Sequence, residues 1–245
     1  MQNLVVSPSN VQPMPQTAFS LNMPGVDELF PGFLPGDFAV LYGSRAVATL
    51  TSLLCVRAQL PPQLGGLGSS VVFIDGGITF RLYRVAQLAQ LHDLNPEEAL
   101  RRIFISRAFT AYQLTSLVME KMEETVKACD AKVAIISDLA SFFLDTNIAA
   151  EEAQSIYSQI LAYLADFARR RQIVVVATYM PFENSKRNTT LQQLTYQNAT
   201  TVLCFAKTAY GKQVILEKHP AYMLGATKLP SKTKTLNDFI GDYNG

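Results

Sequence analysis

The residues best placed to do chemistry are Gly43, Ser44, Arg45 and Thr49, within Leu41-Tyr42-Gly43-Ser44-Arg45-Ala46-Val47-Ala48-Thr49-Leu50. A short apolar strand, Phe38 to Tyr42, runs into a glycine and then into an apolar helix. A phosphate-binding loop, G-x-x-x-x-G-K-[ST], belongs at such a junction. Its glycines let backbone N–H groups wrap phosphate, its lysine neutralises charge and its hydroxyl holds magnesium. Read from Gly43 without a gap, Ala48 stands for the second glycine, Thr49 for the lysine and Leu50 for the hydroxyl residue. A two-residue deletion aligns the helix better and supplies no lysine either. Arg45 is a phosphate-compatible cation, set at the wrong place for the lysine's task. The frame is that of a nucleotide-hydrolysing fold without its chemistry.

No other pattern competes with this one. Cys55, Cys129 and Cys204 are far apart in apolar stretches and lack metal-ligand spacing, as expected of buried, reduced thiols. His219, a lone histidine with no partner in the sequence, is expected to be structural, and His92 is expected at the surface. Nothing suggests a nucleophilic triad, a paired-carboxylate hydrolase or a metal cluster.

The elements that must position the loop follow from periodicity and turn signals. After the Phe38–Tyr42 strand, a helix is predicted from Ala46 to Leu60, closed by Pro61-Pro62. Val71–Asp75 is a second buried strand. A helix over Phe80–Leu91 carries Leu82, Val85, Leu88 and Ala89 at helical spacing. Asn95-Pro96-Glu97-Glu98 combines an N-cap residue, proline at the first helical position and an early glutamate. Strands at Ile103–Ser106 and Lys132–Asp138 alternate with long helices at Ala111–Ala128 and Ala149–Arg171. The β-branched run Ile173–Thr178 reads as a central parallel strand. Residues 181–198 are polar, and Thr200–Lys207 with Lys212–Lys218 form a hairpin around Tyr210-Gly211. The expected fold class is α/β: a mostly parallel sheet flanked by helices, with a C-terminal β-hairpin.

The 245 residues, 49% hydrophobic, suffice for one sizeable core. We expect a lead-in over 1–16, a single core domain over 17–225 and a polar tail over 226–245. The net charge of +1 argues against a general polyanion binder, but the charge is uneven. From Phe182 to Gly245 eight Lys/Arg face four Asp/Glu, a net +4; residues 1–181 hold 13 against 16, a net −3. The basic quarter fits either a nucleic-acid-facing edge or a solvated lysine-rich tail. No run reaches the roughly 18–20 apolar residues of a membrane span, and Met1–Gln16 lacks a basic n-region. A cytoplasmic protein is expected, nucleoid-associated if it binds DNA.

The motifs together resemble the ATPase core of the RecA/RadA strand-exchange recombinases, in their archaeal and eukaryotic form, over roughly residues 17–225. Val72-Phe73-Ile74-Asp75-Gly76-Gly77-Ile78-Thr79-Phe80-Arg81-Leu82-Tyr83-Arg84 resembles the family's strand followed by D-T-E-G-T-F-R-x-x-R. Gln59-Leu60-Pro61-Pro62, Gly65-Gly66-Leu67, Asp93-Leu94-Asn95-Pro96-Glu97-Glu98 and Ser106-Arg107-Ala108-Phe109 continue in order. The resemblance implies a RecA-like fold, and it makes the departures legible. The acid of D-T-E-G falls on Gly77. The strand at Val133–Ile136 should end in Asp-Ser and ends in Ser137-Asp138, which turns Asp138 to the opposite face. The family's Asn-Gln after the next strand is replaced by Tyr179-Met180. Cation, magnesium ligand and water-orienting carboxylate are thus all displaced, and ATP hydrolysis is not expected.

The resemblance also implies where ligands would sit. Gly43, Ser44, Arg45, Thr49, Arg84 and Asp138 mark a vestigial nucleotide site, with Arg84 on the adenine-stacking arginine. No cofactor is expected; weak ATP or magnesium binding stays open. The family's two DNA-contacting loops fall near Pro181–Thr190 and Thr195–Thr200, placing Lys186 and Arg187 on phosphate and Tyr196 on a base. Lys207, Lys212 and Lys218 would flank the same edge. Arg169-Arg170-Arg171 ends a helix, where positive charge complements the dipole. The leading expectation is a degenerate RadA-like paralogue that binds DNA, an active recombinase, or both, alone or in a homo- or hetero-oligomer. The alternatives are a scaffolding subunit with no DNA role and an ATP-binding protein with a non-standard loop.

Overall fold

The computed structural model describes residues 18–180, 184–208 and 211–229. The lead-in over 1–16, Tyr210 of the hairpin turn and the tail from residue 230 lie outside the described residues. Eight strands form: β1 (Phe38–Tyr42), β2 (Val71–Asp75), β3 (Ile103–Arg107), β4 (Val133–Ser137), β5 (Val174–Tyr179), β6 (Thr201–Thr208), β7 (Gly211–Lys218) and β8 (Gly225–Lys228). They join one sheet in the order β3-β2-β4-β5-β1-β6-β7-β8. Strands β1 to β6 run parallel, and β7 and β8 add antiparallel. The α/β class and the C-terminal hairpin are as expected, and β8 carries the sheet to Lys228.

Apolar side chains cover both faces, because β2, β4 and β5 are buried at every position. On one face lie α2 (Val47–Arg57), α3 (Leu82–Leu91) and α4 (Pro96–Arg101), with Phe19, Phe30 and Phe33 and the short α1 (Val26–Leu29) at the sheet's C-terminal-hairpin side. Asn95 accepts the amides of Glu97 and Glu98, the cap that its sequence context predicts. On the other face lie α5 (Ala111–Ser116), α6 (Met122–Ala128), α7 (Ala150–Arg171) and α8 (Lys186–Asn198).

Two expectations are corrected here. The long helix over Ala111–Ala128 is interrupted by a π-helical turn at Leu117–Lys121, so α5 and α6 are separate α segments. The two loops expected near Pro181–Thr190 and Thr195–Thr200 are largely one helix, α8, which holds Lys186, Arg187 and Tyr196. Ser185 caps it by accepting the Asn188 amide. Its buried face carries Asn188 and Thr195 beside Leu191. The polar pair is satisfied internally: Tyr179 donates to Asn188 Oδ1 at 2.6 Å, and Tyr157 shares a 2.7 Å hydrogen bond with Thr195. Hydrogen bonding substitutes for the apolar stripe that marks a packed helix in sequence.

Candidate functional site

The loop after β1 is short. Gly43 sits at φ 100°, where a Cβ would strike Phe205 O at 2.8 Å and Cys204 Sγ at 2.9 Å. Glycine is therefore required by the close approach of β6 as well as by the turn. Helix α2 begins at Val47, only four residues beyond Gly43. Thr49, which the ungapped reading sets on the lysine, is already the third residue of that helix. The shorter frame thus describes the loop better.

Four amides at this junction, those of Ala46, Val47, Ala48 and Thr49, are already used. Ala46 N donates to Ser44 Oγ at 3.2 Å and Val47 N to Ser44 O at 3.1 Å. Ala48 N donates to Arg45 O at 3.2 Å and Thr49 N to Ala46 O at 2.9 Å. Ser44 is thus a local turn-former. The Arg45 side chain is exposed and makes no hydrogen bond among the described residues. Arg84 lies half-buried on α3.

Strands β2 and β4 run parallel to β1 and end on the same edge of the sheet as this loop. Asp75 closes β2 fully buried and ringed by donors. Thr79 N and Phe80 N bind its two oxygens, the Ser137 hydroxyl donates at 2.9 Å, and Arg107 contributes Nε and Nη2. Burial works to raise its pKa, but these donors outweigh it and hold the carboxyl below the usual aspartate value. Asp75 therefore knits the turn between β2, β3 and β4 and has little capacity left for a ligand.

Asp138 differs. It leaves β4 in the left-handed region at φ 52°, with its amide donating to Thr178 Oγ1. It is 9% exposed, and Oδ1 is buried without a partner among the described residues. Burial, then the charge of Asp75, pushes its pKa up to about 7, with Arg45 pulling the other way. It lies within electrostatic range of the buried Tyr157 and Tyr179. A Cβ on Gly77 would meet Asp138 Oδ2 at 2.6 Å. Ile78, at the glycine of the D-T-E-G signature, adopts φ 54° while 54% exposed. A β-branched residue in that region is a true outlier, and no periodicity argument could have found it.

The basic candidates are dispersed. Lys186 is exposed at the start of α8. Two nitrogens of Arg187 are engaged in structure, Nε donating to Phe143 O at 2.6 Å and Nη1 to Ile148 O at 2.9 Å, while Nη2 is buried without a partner among the described residues. Tyr196 donates to Glu217 O. Lys218 closes the C-terminus of α8, donating to the carbonyls of Tyr196 and Gln197, with Nζ 5.3 Å from the Tyr196 ring centroid. Lys218 therefore does not share an edge with Lys207 and Lys212. Those two are direct cross-strand partners where β6 and β7 run on past the end of β1.

Arg169 and Arg170 pair with Asp166 at the end of α7, and Arg171 pairs with Glu123. Among the described residues, no group of three or more His, Cys, Asp or Glu could hold a metal, and no helix is long and apolar enough to cross a membrane.

Sheet order, the strand–loop–helix junction after β1 and the acid-bearing turn after β2 define a RecA-like domain of the nucleotide-hydrolase architecture. The family model for Rad51 matches residues 26–199, from α1 through α8, and the chain belongs to that family. Membership relates it to the RecA-like proteins of DNA recombination and repair.

Proposed function

We propose that this chain is a Rad51-family member that acts by binding and assembly, without ATP hydrolysis, on DNA, on an active recombinase, or on both. The observation that carries the reading is the junction at Gly43. Its four-residue approach to α2 and the engaged amides of Ala46 to Thr49 do not fit a triphosphate with magnesium. A phosphate held at such a junction needs free N–H groups and a cation in place. The carboxylate expected at residue 77 is absent, and Asp75 is saturated. Removing one transition-state interaction of this kind costs about 3–4 kcal/mol, so no residual turnover is expected. The basis for DNA binding is Lys186, Lys207 and Lys212, the basic candidates whose side chains are not engaged by backbone carbonyls as those of Arg187 and Lys218 are. Purified protein is expected to show no DNA-stimulated ATPase. Turnover abolished by Arg45→Ala would overturn the proposal.

A second reading, a scaffolding subunit with no DNA role, is favoured by one observation. Ile78, Leu82, Tyr83, Phe109 and Tyr112 are all more than half exposed around the ends of β2 and β3. Apolar groups gathered in this way suit a subunit contact. DNA affinity that falls steeply with salt supports the first reading; a salt-insensitive self-association with no DNA binding supports the second.

A further inference from the structure

We propose that the cavity between α8 and the sheet takes one unstacked nucleobase of a single-stranded nucleic acid. This rests on the DNA-binding reading and gives it a site. The cavity measures about 220 Å³, and its lining includes Tyr42, Tyr179 and Tyr196 together with Val202, and Gln192 and Gln193 on α8.

The walls are built for a flat, apolar face. Each tyrosine hydroxyl has a protein acceptor: Tyr42 donates to Glu217 Oε2 at 2.7 Å, Tyr179 to Asn188 Oδ1 at 2.6 Å, and Tyr196 to Glu217 O at 3.2 Å. With these hydroxyls engaged, whatever enters meets a mainly apolar lining. Such surfaces are the sequence-tolerant platforms on which bases stack. The Tyr196 wall is fixed in advance, because Lys218 binds the carbonyls of Tyr196 and Gln197 and lies over the ring.

The polar groups narrow the choice of occupant. Gln192 and Gln193 are exposed, and their amides make no hydrogen bond among the described residues. Each carries donors and an acceptor side by side, the arrangement that reads the edge of a base. An aliphatic side chain from a protein partner would leave those amides unused. A phosphate has no cation inside the cavity to meet it, since Lys218 is committed to α8. Volume, aromatic walls and amide lining together favour one ring system with a hydrogen-bonding edge.

The test is an anisotropy titration of the full chain with a labelled single-stranded oligonucleotide and with its abasic counterpart of equal length, at two salt concentrations. The base-bearing strand is expected to bind roughly 5- to 150-fold more tightly, the range that stacking a single base confers. The double variant Gln192→Ala, Gln193→Ala, whose positions are exposed, is expected to keep the wild-type melting temperature and to lose at least half of that discrimination in logarithmic terms. A 2-aminopurine placed in the strand is expected to lose fluorescence with wild type and less so with the variant. Equal, salt-dependent binding of both strands overturns the pocket and leaves the DNA reading standing. Discrimination that the glutamine variant leaves intact also overturns it. Binding of neither strand overturns the DNA reading itself.

Discussion

The carboxylate of Asp138 lies in the space that a side chain on residue 77 would need: a Cβ there would meet Oδ2 at 2.6 Å and the Asp138 Cβ at 2.7 Å. The acid missing from the turn and the inverted order at Ser137-Asp138 are therefore one steric arrangement. Restoring the acid alone should fail. Gly77→Glu is expected to destabilise by about 1–3 kcal/mol, as overpacking does, with like-charge repulsion added. In an Asp138→Gly background the same change should cost much less. Urea unfolding of the four proteins measures the coupling; equal costs in both backgrounds would show that residues 77 and 138 are independent.

Asp138 should also shape the pH dependence of stability. Its folded pKa, about 7, lies above the ordinary 3.8, so the folded state binds the proton more tightly than the unfolded chain. The associated stability is complete below 3.8 and is lost as pH rises through about 7. Asp138→Asn keeps the shape and cannot ionise. It is expected to exceed wild type above pH 7 by up to roughly 4 kcal/mol, at 1.36 kcal/mol per pKa unit, with the gap closing toward acid. Melting curves across pH 4 to 8 follow this directly, and a constant gap would exclude titration at Asp138.

The relationship between residues 77 and 138 shows what the sequence could and could not convey. The strands were legible along the chain because β1, β2, β4 and β5 are short apolar runs separated by turn signals, and Asn95-Pro96 announces α4. The absence of an acid at Gly77 and the inversion at Asp138 were visible as separate departures. Their contact joins positions 61 residues apart and needs the fold. Helix α8 was illegible for a different reason. Its buried Asn188 and Thr195 are satisfied by Tyr179 and Tyr157, so the apolar spacing that signals packing is missing. Ser185, three residues before Asn188, was the one local signal of its start. The tyrosine cavity depends on that helix and could not be read without it.

His219 is expected to act in the opposite pH sense. Its Nδ1 accepts the amides of Ala221 and Tyr222, which requires that nitrogen to be unprotonated, and its ring stacks on Tyr222 at 3.9 Å. Burial lowers its pKa below 6.5, with Asp37 opposing. Because the folded value is depressed, the contribution is complete above 6.5 and is lost as pH falls through the folded pKa. His219→Gln should flatten the acid limb of the stability profile below pH 6.5. An unchanged acid limb would mean that the turn after β7 does not depend on the neutral ring.

Arg187 should matter to stability whatever its relation to DNA. Its two hydrogen bonds tie α8 to the carbonyls of Phe143 and Ile148, and bonds from a charged donor contribute about 1.5–3 kcal/mol each. Arg187→Ala is expected to lower stability by at least one such increment, with Arg187→Lys unable to reproduce the fork. Oligonucleotide affinity at a temperature where the variant stays folded should change less than twofold. A large affinity loss in a fully folded Arg187→Ala would return this residue to the DNA contact set.

Lys207 and Lys212 face each other directly across β6 and β7, an arrangement that works against the hairpin. Like charges in opposed positions destabilise a strand pair by roughly 0.2–1 kcal/mol, and opposite charges stabilise it by a similar amount. Retaining two lysines there makes physical sense if a polyanion neutralises them. Lys212→Glu separates the two demands, because the hairpin gains a cross-strand ion pair while the edge loses its field. Thermal stability is expected to rise, more at low salt than at high salt. Single-stranded DNA affinity is expected to fall, and the slope of log K against log salt should shrink by about 1 for each phosphate no longer neutralised. Both measurements use the same protein, so a folding defect cannot imitate the result. Increased stability with an unaltered salt slope would take these two lysines off the DNA path.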